Sequence, residues 1–105
     1  MQNKTLTLIS LLIVGFVFSI RADVITDWNQ HAVTSVVTAG SARPAGSGSI
    51  DIAMAHLAMY DAVQAIERKF EPYYVDIPGA SGSPIAAAAT AAHDILAARF
   101  PAQAA

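Results

Sequence analysis

One stretch, Ile52 to Asp76 (IAMAHLAMYDAVQAIERKFEPYYVD), restricts the fold of this chain more than any other. Ile52, His56, Met59, Val63, Ile66 and Phe70 recur at alternating four- and three-residue steps, the period of one helical face. Beside this bulky stripe, Ala55, Ala58, Ala62 and Ala65 make a second seam of small side chains. A helix with two apolar seams needs neighbours on two sides. The remaining sequence supplies few, so the pattern predicts a helix belonging to a larger bundle.

The N-terminus carries the next signal. Lys4 is followed by an uncharged run, Leu6 to Ile20, rich in Leu, Ile, Val and Phe. As a helix this run spans about 22 Å, short of the roughly 30 Å hydrocarbon core of a bilayer. A positive start, a short apolar run and a small residue at Ala22 predict a secretory signal helix over residues 1–22, cleaved between Ala22 and Asp23. Arg21 leaves open an uncleaved anchor. Either reading exports residues 23–105, to a bacterial periplasm or beyond the cell. Membrane contact is expected only through the uncleaved signal segment.

The exported part is one small domain at most, and such domains are marginal without disulfides or metal. The chain has no cysteine, which excludes a disulfide framework and a thiolate metal site. Alanine supplies 21 of the 83 residues after Ala22; it favours helix but buries little apolar area. Arg43, Arg68, Lys69 and Arg99 face eight acidic residues, a net charge of −4. That balance argues against nucleic acid or an anionic membrane as a partner.

Local rules predict an all-α chain with three helices, about 24–38, 50–70 and 84–100. In the first, Val24, Trp28, Ala32, Val33 and Val36 form an apolar face, with Asp23 as cap. GSARPAGSGS, Gly40 to Ser49, reads as a loop. Ser49 is the expected cap of the central helix, with Asp51 favourably placed in its first turn and Arg68 and Lys69 in its last. Pro72 is expected to end that helix. Ser83 followed by Pro84 is a strong start for the third helix. PAQAA, residues 101–105, reads as the first turn of a fourth, and a domain rarely stops there. The sequence therefore looks like an incomplete domain.

Three blocks in order carry a resemblance: DVITDWNQHAV, HLAMYDAVQAIERKFEPYYVD and GASGSPIAAAATAAHDILAARFPAQAA. Their most specific parts are Asp27-Trp28-Asn29, His56, Ala58, Tyr60-Asp61-Ala62-Val63, Ala65-Ile66, Ala92-His93 and Phe100-Pro101. Together they resemble the N-terminal region of secreted bacterial vanadium-dependent haloperoxidase-like proteins, in the type 2 phosphatidic acid phosphatase superfamily. The resemblance implies an all-α bundle that holds vanadate or phosphate between helices. It implies peroxide-dependent halide oxidation or phosphomonoester hydrolysis. The family's oxyanion site uses a lysine, an Arg-Pro pair, Pro-Ser-Gly-His, and Ser-Arg with a later histidine; cations there stabilise transition-state charge, and one histidine ligates vanadium or becomes phosphorylated. This sequence contains no Pro-Ser-Gly-His and no Ser-Arg. Its one Arg-Pro pair, Arg43-Pro44, lies in a loop with Val36 where the lysine should precede it. No catalytic, cofactor-binding or metal residue carries over, and vanadate is expected only in a full-length parent.

The other polar residues have plain structural readings. His56, on the bulky stripe, is expected to be a buried, hydrogen-bonded histidine. Adjacent His93 and Asp94 read as a surface pair. His31 and Asp27 could touch, but two ligands do not make a zinc site. Tyr60 and Asp61 are expected to tie the central helix to its neighbours by buried hydrogen bonds. GASGS lacks the lysine and strand of a phosphate loop. Two functions stand: a catalytically incompetent N-terminal segment of such an enzyme, partnered by the missing C-terminal helices of the same protein, or a free-standing exported helical module that binds a protein.

Overall fold

The computed structural model describes residues 23–104, and the expected signal helix lies outside them. Every regular element among the described residues is helical: α1 (Val24–Ala39), α2 (Ser47–Glu67) and α3 (Pro84–Arg99). Short 3₁₀ turns follow α1 at Gly40–Ala42 and α3 at Pro101–Gln103. No helix among the described residues is long and apolar enough to cross a membrane.

Two helix starts obey the local rules. Asp23 Oδ1 accepts the Thr26 N–H at 2.9 Å, and Ser83 Oγ accepts the Ala86 N–H at 3.2 Å with Pro84 opening the helix. Each satisfies a first-turn donor that the helix itself leaves orphaned. The central helix differs from expectation at both ends. It begins at Ser47, after Gly46 in the left-handed region (φ 80°). Ser49 therefore lies within the first turn, where its Oγ donates to Gly46 O at 3.1 Å. At Gly48 a Cβ would overlap Val36 Cγ1, so α1 and α2 approach closely at that point.

The other end of α2 stops at Glu67, not 70. Arg68 turns into the left-handed region (φ 50°) and its N–H closes on Gln64 O. Gln64 and Asp61, both buried on α2, account for the early stop. Gln64 Oε1 accepts the Phe70 N–H at 2.9 Å, and Asp61 accepts the N–H groups of Tyr73, Tyr74 and Val75 at 2.6–2.9 Å. These acceptors draw the chain back along the helix that it has just left. Arg68 and Lys69 are consequently beyond the last turn, and Phe70 leaves the bulky stripe to stand 69% exposed.

The core has two layers that fix the helix directions. One joins Ala32, Ala55, Leu96 and Phe100, with Trp28, Val36, Ala39, Ile52 and Ile95 against it. The other joins Met59, Ala88 and Ala92, with Val24, Ile25, Trp28 and Val63 against it. As α2 advances from Ala55 to Met59, α1 and α3 retreat, so both run antiparallel to α2. One bundle end therefore carries Asp23 and the 68–83 connection. The other carries the α1–α2 loop and the end of α3.

Met59 and Asp51 are the largest fully buried side chains. Four of the eight buried apolar residues with the lowest exposure are alanines fully closed to solvent: Ala32, Ala55, Ala88 and Ala92. The alanine seam of α2 is thus real, though its tightest members are Ala55 and Ala65, with Ala58 and Ala62 half-buried. Such a core brings backbones close but removes little apolar area from water.

Candidate functional site

The strongest polar constellation sits at the α1–α2 loop end. Asp51 has no solvent-accessible side-chain surface. Its Oδ1 and Oδ2 accept from one terminal nitrogen of Arg43 at 2.8 and 2.7 Å, and Oδ1 accepts from Arg99 Nε at 2.7 Å. The Arg43 guanidinium also lies 5.3 Å from the centroid of the Phe100 ring, within cation–π range. One carboxylate thus fastens the loop, the start of α2 and the end of α3. Burial pushes the Asp51 carboxyl up; the hydrogen bonds and charges of Arg43 and Arg99 together outweigh it and hold the group below the usual carboxylate range. Arg43 Nε and Ser47 Oγ are buried there without a partner among the described residues. The Arg43-Pro44 pair, the one local match to an oxyanion motif, is therefore occupied by an internal carboxylate.

Asp61 is the counterpart at the opposite end. It is buried and has no cation on it; its three donors are backbone N–H groups. Burial again raises its pKa, and the N–H groups of Val75, Tyr73 and Tyr74 overcome this to leave it lowered. Tyr60 donates from its hydroxyl to Glu71 O at 2.8 Å. The sequence reading placed Tyr60 and Asp61 against neighbouring helices. They instead hold the segment that follows their own helix.

His56 has the expected hydrogen bond, its Nε2 donating to Asn29 Oδ1 at 2.8 Å across α1 and α2, but it is half-buried where full burial was expected. His93 Nδ1 lies 3.0 Å from Asp94 Oδ1 with both side chains exposed, the expected surface pair. His31 turns to Trp28, with ring centroids 5.0 Å apart, and His93 approaches the same indole edge-on at 6.3 Å. Between α1 and α3 these rings line an open cleft of about 330 Å³, with Leu96 and Phe100 at its base. Gln103 closes its end by donating from Nε2 to Ser35 O at 3.0 Å. The cleft joins His31 and His93, which sequence spacing kept apart, around the one tryptophan. No group of three or more His, Cys, Asp or Glu suited to a metal ion occurs among the described residues.

Sequence reasoning missed the Arg43–Asp51–Arg99 clamp. A signal was available: Asp51 stands four residues before Ala55, on the buried seam, where a carboxylate requires a partner. Against known protein families, curated proteins and solved structures, the chain has no match.

Proposed function

We propose that this chain is the N-terminal helical platform of an exported haloperoxidase-like or acid-phosphatase-like enzyme, catalytically incompetent by itself. Residues 23–105 act as scaffold, and further helices of the same protein bring the oxyanion site and, in a haloperoxidase, vanadate. The observation that carries this reading is the inversion of the core. Alanines fill the interior, while Val37, Ile50 and Ile85 are each at least 60% exposed. These large apolar side chains, left open at both ends of the bundle, are the surface that further helices would cover. On this reading the Asp51 clamp is a structural fastening and no residue of this chain touches substrate.

The coding DNA beyond Ala105 tests the proposal. A frame that continues into Pro-Ser-Gly-His and Ser-Arg blocks supports it; a stop with no such sequence downstream overturns it in favour of the free-standing module. Circular dichroism adds a physical check. The thermal midpoint of residues 23–105 should rise when the downstream helices are present in the same chain; an unchanged midpoint would count against a platform that needs them for cover.

A further inference from the structure

The segment after α2 has an unusual division of labour. Part of its backbone is tied inward: Asp61 takes the N–H groups of Tyr73, Tyr74 and Val75, Gln64 takes that of Phe70, and the Tyr60 hydroxyl donates to Glu71 O. Arg68 adds a bond to Ile77 O at 2.9 Å. Its side chains point the other way. Phe70 and Tyr73 are each 69% exposed, Tyr74 is 87% exposed, and Val75 and Ile77 are also open to solvent. The nearby charges are largely paired among themselves, Arg68 with Asp76 at 3.4 Å and Lys69 with Glu67 at 3.5 Å.

These properties suit the interfacial layer of a bilayer. The N–H groups of Phe70, Tyr73, Tyr74 and Val75, which carry most of the exposed apolar side chains, already have partners, which lowers the cost of entering a poorly hydrated layer. Tyrosine, with an apolar ring and a wet hydroxyl, concentrates at that depth. Position supplies the independent argument. Val24 and Ile25 pack on the same core layer as Val63, so the chain enters the bundle at the end that bears this segment. Only Arg21 and Ala22 separate Asp23 from the apolar run that ends at Ile20. Three peptide steps reach no more than about 11 Å. Whenever that run lies in a membrane, the aromatic end of the bundle is held at the membrane surface, and the Asp51 clamp faces away.

We propose that Phe70, Tyr73, Tyr74, Val75 and Ile77 form an interfacial membrane contact, seated among zwitterionic lipid headgroups while the chain is tethered by its apolar run. The proposal rests on that run inserting in lipid; it does not depend on the enzyme reading. The chain's lack of cysteine makes single-site labelling clean. Full-length Tyr74→Cys, Ala42→Cys and Ser10→Cys variants would each carry an environment-sensitive fluorophore in phosphatidylcholine vesicles doped with shallow or deep nitroxide lipids. The expected result is blue-shifted emission at 74, quenched best by the shallow nitroxide, deep quenching at 10, and water-like, unquenched emission at 42. Quenching at 10 with none at 74 would overturn the contact while leaving the run in the membrane. Quenching at 74 with none at 10 would overturn the tethered contact, because the run on which it rests would lie outside the membrane. Equal quenching at 74 and 42 would overturn the orientation. A blue shift at 74 that grows with protein concentration in the absence of lipid would assign the surface to self-association instead.

Discussion

Asp51 and Asp61 lie on one helix, are both buried, and are satisfied by opposite means. Asp51 is held by two guanidinium groups from distant parts of the chain. Asp61 is held by three neutral N–H groups from the segment that follows it. The first arrangement brings charge to charge and locks three separate elements at one end of the bundle. The second spends a full carboxylate on one stretch of backbone, leaving aromatic side chains free to face outward. The difference separates a fastening from a presentation device. Removing the first should loosen the whole fold, while removing the second should loosen one segment.

Acid should break both at once, and its effect should be the largest. Each carboxyl titrates below its ordinary value of 3.8 in the folded chain. A lowered folded pKa means that the stabilisation is present above the unfolded value and is lost as pH falls through the folded one. Thermal midpoints followed by circular dichroism should therefore hold steady from pH 7 to about 5 and drop below about 4. The Asp51→Asn, Asp61→Asn double variant should lose most of that drop. An unchanged midpoint at pH 2 in the parent chain would remove both carboxylates from the stability account.

Asp51→Ala comes next. Removing one partner of a buried ion pair leaves uncompensated charge, at a cost of about 3 kcal/mol, the low end of the usual range because both arginines reach solvent. Urea denaturation reads this directly. A loss under about 1 kcal/mol would mean that water replaces the carboxylate without strain, and that the clamp is not what closes this end.

Asp61→Ala should cost less, about 1–2 kcal/mol, since its orphaned donors lie on a segment that water can reach. The more telling readout is amide hydrogen exchange. The N–H groups of Tyr73, Tyr74 and Val75 should exchange much faster, while those in the middle of α1 and α3 keep their protection. Uniformly faster exchange would show that this end is as global a fastening as the other.

The two ends also differ in how much of them the sequence displays. Helix existence follows from short-range rules, so Asp23 and Ser83-Pro84 mark the starts of α1 and α3 within the next turn. His56, on an apolar stripe, implies a partner, and Asn29 is that partner. The clamp is a different matter, because Arg43 and Arg99 lie 8 and 48 residues from Asp51. No periodicity links positions at such separations; only the packing of α3 beside α2 does. The end of α2 departs from the local rules for a related reason. Charge near a C-terminus and a later proline favour continuing to 70, whereas buried Asp61 and Gln64 capture the backbone ahead of them. Of the cleft around Trp28, the sequence displays the rings and hides their meeting.

Arg68 offers the smallest and most selective test. Its left-handed backbone costs a non-glycine residue about 1 kcal/mol, which Arg68→Gly should recover. The same change removes the side-chain bonds to Ile77 O and Asp76, both exposed and together worth about 1 kcal/mol or less. The two effects oppose each other, so the denaturation midpoint should barely move. The segment itself should still respond, because Ile77 loses its tie back to α2 while Asp61 keeps Tyr73 to Val75. Proteolysis should then appear near Ile77 before it appears anywhere in α2. If Arg68→Gly instead destabilises the whole chain by more than about 1 kcal/mol, Arg68 belongs with Asp51 as a global fastening, and the contrast between the two ends narrows to their chemistry alone.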